Sequence, residues 1–392
     1  MEKNKVLENL AQLLLDNKQK IIDVNTEDLK AYTGKDEAMF DRLKVDEKKV
    51  SGMIESVKIV LKLEDPEGKI LSSYDHENGM KVVNKTVPFG KILIIYESRP
   101  DVTIEASCIA FKAGNRVLLK GGKEAGKTNT VLVNLWQEAL VKNGMEKDFV
   151  KYVNYDRDET QNLIKNNIEN VDLIIPRGGE GLIKFVLKNT NVPVIVSGRG
   201  NNFLYLDKES DFEMAKKIII NGKSRISVCN ALDKVLINKD LPNFELSIRE
   251  LVDLLIEKNI TVLGDENLAK LNIKIIETKG EEILAEEFLS AKIYLSLVND
   301  IDEAILKINK YSGRHSTCIV TENKNTAKKF QDEADCAAVH HNTSVRFTDG
   351  GQFGFGAEIG ISTQKLHSRG PIGVAQLVTN KWYISGNGQT RE

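Results

Sequence analysis

The chain has 392 residues, enough for two or three domains and a large buried core. Basic and acidic side chains nearly cancel, 55 against 57, for a formal net charge of −2, which argues against nonspecific nucleic-acid binding and against a polybasic membrane surface. The opening stretch MEKNKVLENLAQLLLDN lacks the unbroken apolar run of a signal peptide, no window is a charge-free membrane span, and the four cysteines show no CxxC. A cytoplasmic protein without disulfides or a zinc site is the expectation.

Residues 1–62 read as helices, with Val6, Leu10, Leu13 and Leu14 on one apolar stripe and Ile54, Val57 and Leu61 on another. An alternating ribbon follows over 79–90. From there strands and helices alternate. Strands are predicted at Ile92–Tyr96, Arg116–Lys120, Val150–Val153, Leu173–Ile175, Val194–Val196 and Phe203–Leu206. Helices lie between them at Val102–Lys112, Thr128–Lys142, Thr160–Asn167 and Leu182–Asn189. The rhythm resumes after residue 229 with strands at Thr261–Leu263, Ala291–Leu297 and Ser316–Thr321. It predicts two α/β units with parallel sheets and a boundary close to Asp207. The segment DGGQFGFGAEIG (349–360) reads as a loop, and the tail KWYISGN as one extended strand.

The stretch DFEMAKKIIINGKSRISVCNALDKVLIN (211–238) carries a candidate nucleophile. A helix-like run gives way to a polar turn, and Cys229 stands just before the apolar strand Val235–Ile237. Two cations, Lys223 and Arg225, precede it, and nearby positive charge favours the reactive thiolate. Taken alone, the pattern equally fits an inert buried thiol. Cys108, Cys318 and Cys336 sit in apolar surroundings and read as structural. His340 and His341 are neighbours in a strand, so they face opposite ways and make a poor metal pair. His315 and His367 are candidate polar contacts in the cleft.

Two motifs sit at strand ends, where open parallel sheets bind ligands. Gly121–Thr128 satisfies GxxxxGK[ST], which would aim Lys127 at phosphates and Thr128 at a magnesium ion. An NTPase or kinase is therefore one reading. The other pairs the strand end at Lys120, Gly121, Gly122 and Lys123 with an adjacent one at Pro176, Arg177, Gly178 and Gly179. Glycines at a helix N-terminus would admit a dinucleotide pyrophosphate, or else make only a tight turn.

The segments YESRPDVTIEAS, KAGNRVLLKGGKE, LIIPRGGEGLIK, VRFTDGGQFGFGAEIGISTQKLHSRGP and KWYISGNGQ resemble the gamma-glutamyl phosphate reductases, a family of the aldehyde dehydrogenase superfamily, over nearly the whole chain. The resemblance implies an aldehyde dehydrogenase-like fold, with two doubly wound α/β domains and a small β oligomerisation flap. It assigns 1–208 to NADP binding, interrupted by the ribbon at 79–90, and 209–361 to catalysis. Residues 362–392 become a return segment and an oligomerisation strand.

The implied reaction is NADPH-dependent reduction of L-glutamate 5-phosphate to L-glutamate 5-semialdehyde, the second step of proline biosynthesis. It runs through a thioester on Cys229, the residue matching the family nucleophile. A small-molecule substrate, a homo-oligomer and a contact with glutamate 5-kinase are the implied partners. Candidate substrate contacts are Ser98, Arg99, Arg225, Arg346 and Arg369, with one or two of the arginines expected in surface ion pairs. Ser98 matches the oxyanion asparagine of aldehyde dehydrogenases, and the backbone N–H of Cys229 is the default oxyanion donor. Where NAD-using relatives carry a glutamate three residues after the strand-end lysine, this chain has Lys123, which implies NADP. No acid stands within Val196–Gly200, where aldehyde dehydrogenases carry a general base, and this favours reduction over hydrolysis.

Three departures stand out. SRISV replaces a longer, proline-containing approach to the cysteine, Asn202-Phe203 replaces Cys-His, and His340-His341 lies where Tyr-Val is usual. A pseudo-enzyme that keeps the fold and assembly but not the activity is the alternative they raise.

Overall fold

Helices α1 (Glu2–Asp16), α2 (Lys18–Ala31), α3 (Glu37–Leu43) and α4 (Glu47–Lys62) open the chain in the computed structural model, which describes residues 2–34 and 37–391. Val6, Leu10, Leu13 and Leu14 are all buried, so the predicted stripe of α1 is core. Strands β1 (Ile70–Asp75) and β2 (Lys81–Pro88) then form an antiparallel ribbon.

A βαβ series follows: β3 (Lys91–Tyr96), α5 (Pro100–Lys112), β4 (Arg116–Lys120), α6 (Gly126–Lys142), β5 (Val150–Tyr152), α7 (Arg157–Asn166), β6 (Leu173–Arg177) and α8 (Glu180–Asn189). The strands make a parallel sheet of order β5-β4-β3-β6. The run Ile92–Tyr96 is buried throughout, as a strand covered on both faces requires. Pro100 opens α5, where its missing N–H costs nothing. One expectation is corrected: the ends of β4 and β6 are not adjacent, because β3 runs between them.

The second series comprises β7 (Asn202–Leu206), α9 (Phe212–Gly222), β8 (Leu232–Asn238), α10 (Phe244–Glu257), β9 (Thr261–Gly264), α11 (Glu266–Ala269), β10 (Ile276–Glu277), β11 (Lys292–Val298), α12 (Ile301–Tyr311), β12 (Ser316–Val320), α13 (Lys324–Glu333) and β13 (Ala338–His341). Its parallel sheet has the order β10-β9-β11-β8-β7-β12-β13. Short strands β14 (Ile361–Ser362) and β15 (Gly370–Pro371) pair with each other. The last strand, β16 (Val378–Ser385), pairs antiparallel with β2 and completes a three-stranded sheet, β1-β2-β16.

Packing divides the chain into Met1–Val196, Gly354–Gly360 and Ile372–Glu392 on one side, and Ser197–Phe353 with Ile361–Pro371 on the other. The division thus falls at Val196/Ser197 rather than at 208. The reason is β7, which hydrogen-bonds to β8 and β12 of the second sheet. Nor is Val194–Val196 a strand, since Val194 makes only an isolated bridge to Ile174.

Candidate active site

In the first unit the carboxyl ends of β3 and β4 open onto a cavity of about 1000 Å3. Its wall includes Ser98, Lys120 and the Gly121–Glu124 loop. A Cβ on Gly122 would come within 2.7 Å of Ser98 Oγ, so glycine lets this loop close on β3's end. Ser98 donates its hydroxyl to Glu124 Oε2 at 2.9 Å. Lys120 donates to the Gly121 carbonyl at 2.7 Å, and burial holds its pKa below the usual lysine value.

Gly181 and Leu182 of α8 also line the cavity, whereas Pro176, Arg177, Gly178 and Gly179 do not. At the N-terminus of α8 a carboxylate is already present: Gly179 N–H donates to Glu97 Oε1 at 2.9 Å.

The GxxxxGK[ST] match is not a phosphate loop. Thr128 is fully buried, and its N–H and hydroxyl both donate to Asp28 Oδ2, at 2.8 and 2.7 Å. Lys127 pairs with Glu27 at 2.8 Å. Asp28 therefore occupies the N-terminus of α6, and the threonine hydroxyl is committed to a carboxylate instead of a metal.

In the second unit Cys229 is exposed on the loop between α9 and β8. Asn202, at the start of β7 and fully buried, holds this loop from beneath. Its Nδ2 donates to the carbonyls of Gly200 (3.0 Å), Cys229 (2.8 Å) and Ala231 (2.6 Å), and its Oδ1 accepts from Ser316 N–H at 3.1 Å. Gly200 lies so close that a Cβ there would sit 1.9 Å from the Cys229 oxygen. Asn230 adds a second anchor by donating to the carbonyls of Arg346 and Thr348, at 3.1 and 2.9 Å.

Arg346 is thereby tied to the cysteine loop. Burial lowers its pKa, neighbouring Arg225 lowers it further, and Asp349 and Cys229 work the other way, so these four groups share one electrostatic neighbourhood. Lys223 does not join them. It is turned inward to Asp233 at 2.6 Å with both side chains buried, and burial depresses its pKa. Arg225 is thus the cation of that turn exposed beside the thiol. Arg99 pairs with Asp101 at 3.2 Å, and Arg369 with Asp335 at 2.9 Å.

The aldehyde dehydrogenase family model matches residues 1–262. Gamma-glutamyl phosphate reductases of Clostridium botulinum (strain Alaska E43 / Type E3) and Clostridium beijerinckii are 44% and 45% identical over the whole chain and 94% of each relative. The crystal structure of the Thermotoga maritima gamma-glutamyl phosphate reductase, 39% identical, matches all of this chain and 94% of that one at a TM-score of 0.95. The chain belongs to the gamma-glutamyl phosphate reductase family. An acetylating aldehyde dehydrogenase from Geobacillus thermoglucosidasius shares the fold, at 16% identity and a TM-score of 0.70 over 100% of this chain and 93% of that one.

As a gamma-glutamyl phosphate reductase family member, the chain has one exposed thiol among the described residues, Cys229. Burial pushes the other three thiols up: Cys318 to about 12, Cys336 to about 11 and Cys108 well above the ordinary value. His315 is fully buried, its Nδ1 2.7 Å from Ser316 Oγ, which donates to Thr348 Oγ1 at 2.9 Å. His340 Nε2 meets the same threonine hydroxyl at 2.8 Å. Burial drives both imidazoles to about 4. His315 thus belongs to a polar core behind the loop, while His367 is exposed. His341 turns the other way, to the Thr321 carbonyl at 2.9 Å.

Asn230 and Asp233 escaped the sequence reading, Gly200 entered it only as the end of an acid-free segment, and Asn202 only as a departure. Its signal was a polar residue opening an otherwise apolar strand.

Proposed function

We propose that the chain reduces L-glutamate 5-phosphate to L-glutamate 5-semialdehyde and phosphate with NADPH, through Cys229. The carrying observation is an exposed thiol beside two arginines, on a loop pinned by Asn202 and Asn230, in a chain of this family.

The Cys229 thiolate attacks the acyl-phosphate carbonyl carbon. The carbon–oxygen bond to phosphate breaks, phosphate leaves with the electron pair, and a thioester remains. NADPH, when bound, supplies a hydride to that carbonyl carbon. Collapse of the resulting oxyanion releases the aldehyde and returns the sulfur electrons to Cys229, so no carboxylate base is needed to activate water. Arg225 and Arg346 neutralise the substrate's phosphate, and the N–H of Cys229 serves as oxyanion donor.

Lys120, Gly121, Gly122 and Lys123 would hold the cofactor along the first unit's cavity, which is large enough for a nucleotide. Lys123 is exposed there without an acid partner among the described residues, which suits a 2′-phosphate. A second contribution, at the pyrophosphate, is assigned to the β6 end with Arg177, Gly178 and Gly179, where Glu97 would have to yield its contact.

The reading includes a homo-oligomer built on the β1-β2-β16 sheet, whose exposed Tyr74, Trp382 and Ile384 share one face that suits covering. A reducing, cytoplasmic setting fits an exposed nucleophilic thiol. No described helix is long and apolar enough to cross a membrane. A hand-off from glutamate 5-kinase would fit a substrate as reactive as an acyl phosphate.

The test is the reaction run backwards. NADP reduction should require both glutamate 5-semialdehyde and inorganic phosphate, and phosphate-independent turnover would contradict the reading.

A further inference from the structure

The cavity of the first unit has a charge pattern that the Lys120–Lys123 loop alone does not account for. Three carboxylates in its wall are engaged by neighbouring donors. Glu97 accepts from Gly179 N–H, and Glu124 from the Ser98 hydroxyl. Asp156 caps α7 by accepting from Glu159 N–H at 2.9 Å, and the Glu159 carboxylate accepts from Asp156 N–H at 2.8 Å.

Two cations in the same wall are in the opposite condition. Lys123 and Arg157 both line the cavity, both are exposed, and neither side chain has an ion-pair or hydrogen-bond partner among the described residues.

Topology brings these two together. Strand β5 pairs with β4, with Leu119 opposite Tyr152, and Val153 N–H continues the ladder to the Leu119 carbonyl at 2.9 Å. The loop after β5 therefore leaves the sheet beside the loop after β4, and Arg157 opens α7 at its far end. Strand β5 is the sheet edge, and β6 lies at the opposite edge. A dinucleotide laid across the strand ends would have one terminus at β5.

We propose that Arg157, together with Lys123, binds the 2′-phosphate of the adenosine half and is a specificity-determining residue for NADP. The proposal rests on the NADP reading above and adds a second, planar cation to it. A guanidinium presents a fixed fork of donors that matches two phosphate oxygens at once, which a lysine does not. Among the described residues Arg157 also has no existing partner to lose on binding.

The experiment is calorimetric titration of the purified protein with 2′,5′-ADP and with 5′-AMP, for wild type, Arg157→Gln and Arg157→Lys, alongside thermal unfolding of each. Wild type should prefer 2′,5′-ADP by about tenfold or more. Arg157→Gln should lose most of that preference at unchanged 5′-AMP affinity and unchanged melting temperature, and Arg157→Lys should keep part of it. An intact preference in Arg157→Gln overturns the proposal while leaving the NADP reading standing. Equal loss of both ligands also overturns it, by placing Arg157 elsewhere on the nucleotide or in the fold. Equal affinities in the wild type would overturn the NADP reading itself.

Discussion

The side-chain amide of Asn202 donates to the carbonyl oxygen of Cys229 at 2.8 Å, so the first residue of β7 fixes the loop that carries the exposed thiol. The same amide serves Gly200 and Ala231, and its oxygen takes the Ser316 N–H. Asn202→Ala would strand several buried carbonyls, at a cost of about 1–3 kcal/mol for each left without a partner. The expected result is a fall of about 2–4 kcal/mol in unfolding free energy in urea, with kcat reduced about tenfold or more. Unchanged stability and turnover would show that the clamp holds nothing the reaction needs.

Thr128→Val removes one of the donors to buried Asp28 and should destabilise the protein by about 1–3 kcal/mol. Lys127→Ala breaks only an exposed ion pair and should leave reductase activity within a few-fold. Equilibrium dialysis with magnesium and ATP should find no tight binding. Binding that Lys127→Ala abolished would restore the phosphate-loop reading.

Acid should weaken the fold through His315 and His340. Both are held to about 4 when folded and titrate near about 6.5 when unfolded, so the unfolded chain binds more protons between those values. Their contribution is complete above about pH 6.5 and is lost as pH falls toward 4. Melting temperature measured from pH 7 to pH 4.5 should drop, and His340→Gln should flatten the drop. An identical slope in the variant would assign the acid sensitivity to other groups.

Much of the fold was legible in the sequence. Buried strands such as Ile92–Tyr96 read as short apolar runs. The exposed ribbon β1 was missed because its six residues are all solvent-facing and carry no burial pattern. Lys223 was misread as a cation near the thiol. Its partner Asp233 stands ten positions away, and only the closure of β8 against the α9 turn brings the two together. Likewise the role of Asn202 depends on its register beside β8 and β12, which no local window contains.

The β1-β2-β16 sheet should mediate self-association. Trp382→Asp or Ile384→Asp puts a charge on an exposed apolar strand and should lower the mass seen by light scattering at micromolar concentration, while circular dichroism stays unchanged. A wild type that is monomeric throughout would remove the claim.

Phosphate-dependent reduction of NADP by glutamate 5-semialdehyde, measured for Cys229→Ser beside Cys108→Ser, tests the nucleophile most directly. Cys229→Ser should lose roughly 10³-fold or more in kcat with its circular dichroism intact, because a hydroxyl cannot replace the thiolate. Cys108→Ser, altered at a buried thiol, should stay within a few-fold once folded. Near-normal turnover in Cys229→Ser, or its loss in Cys108→Ser alone, would contradict the account.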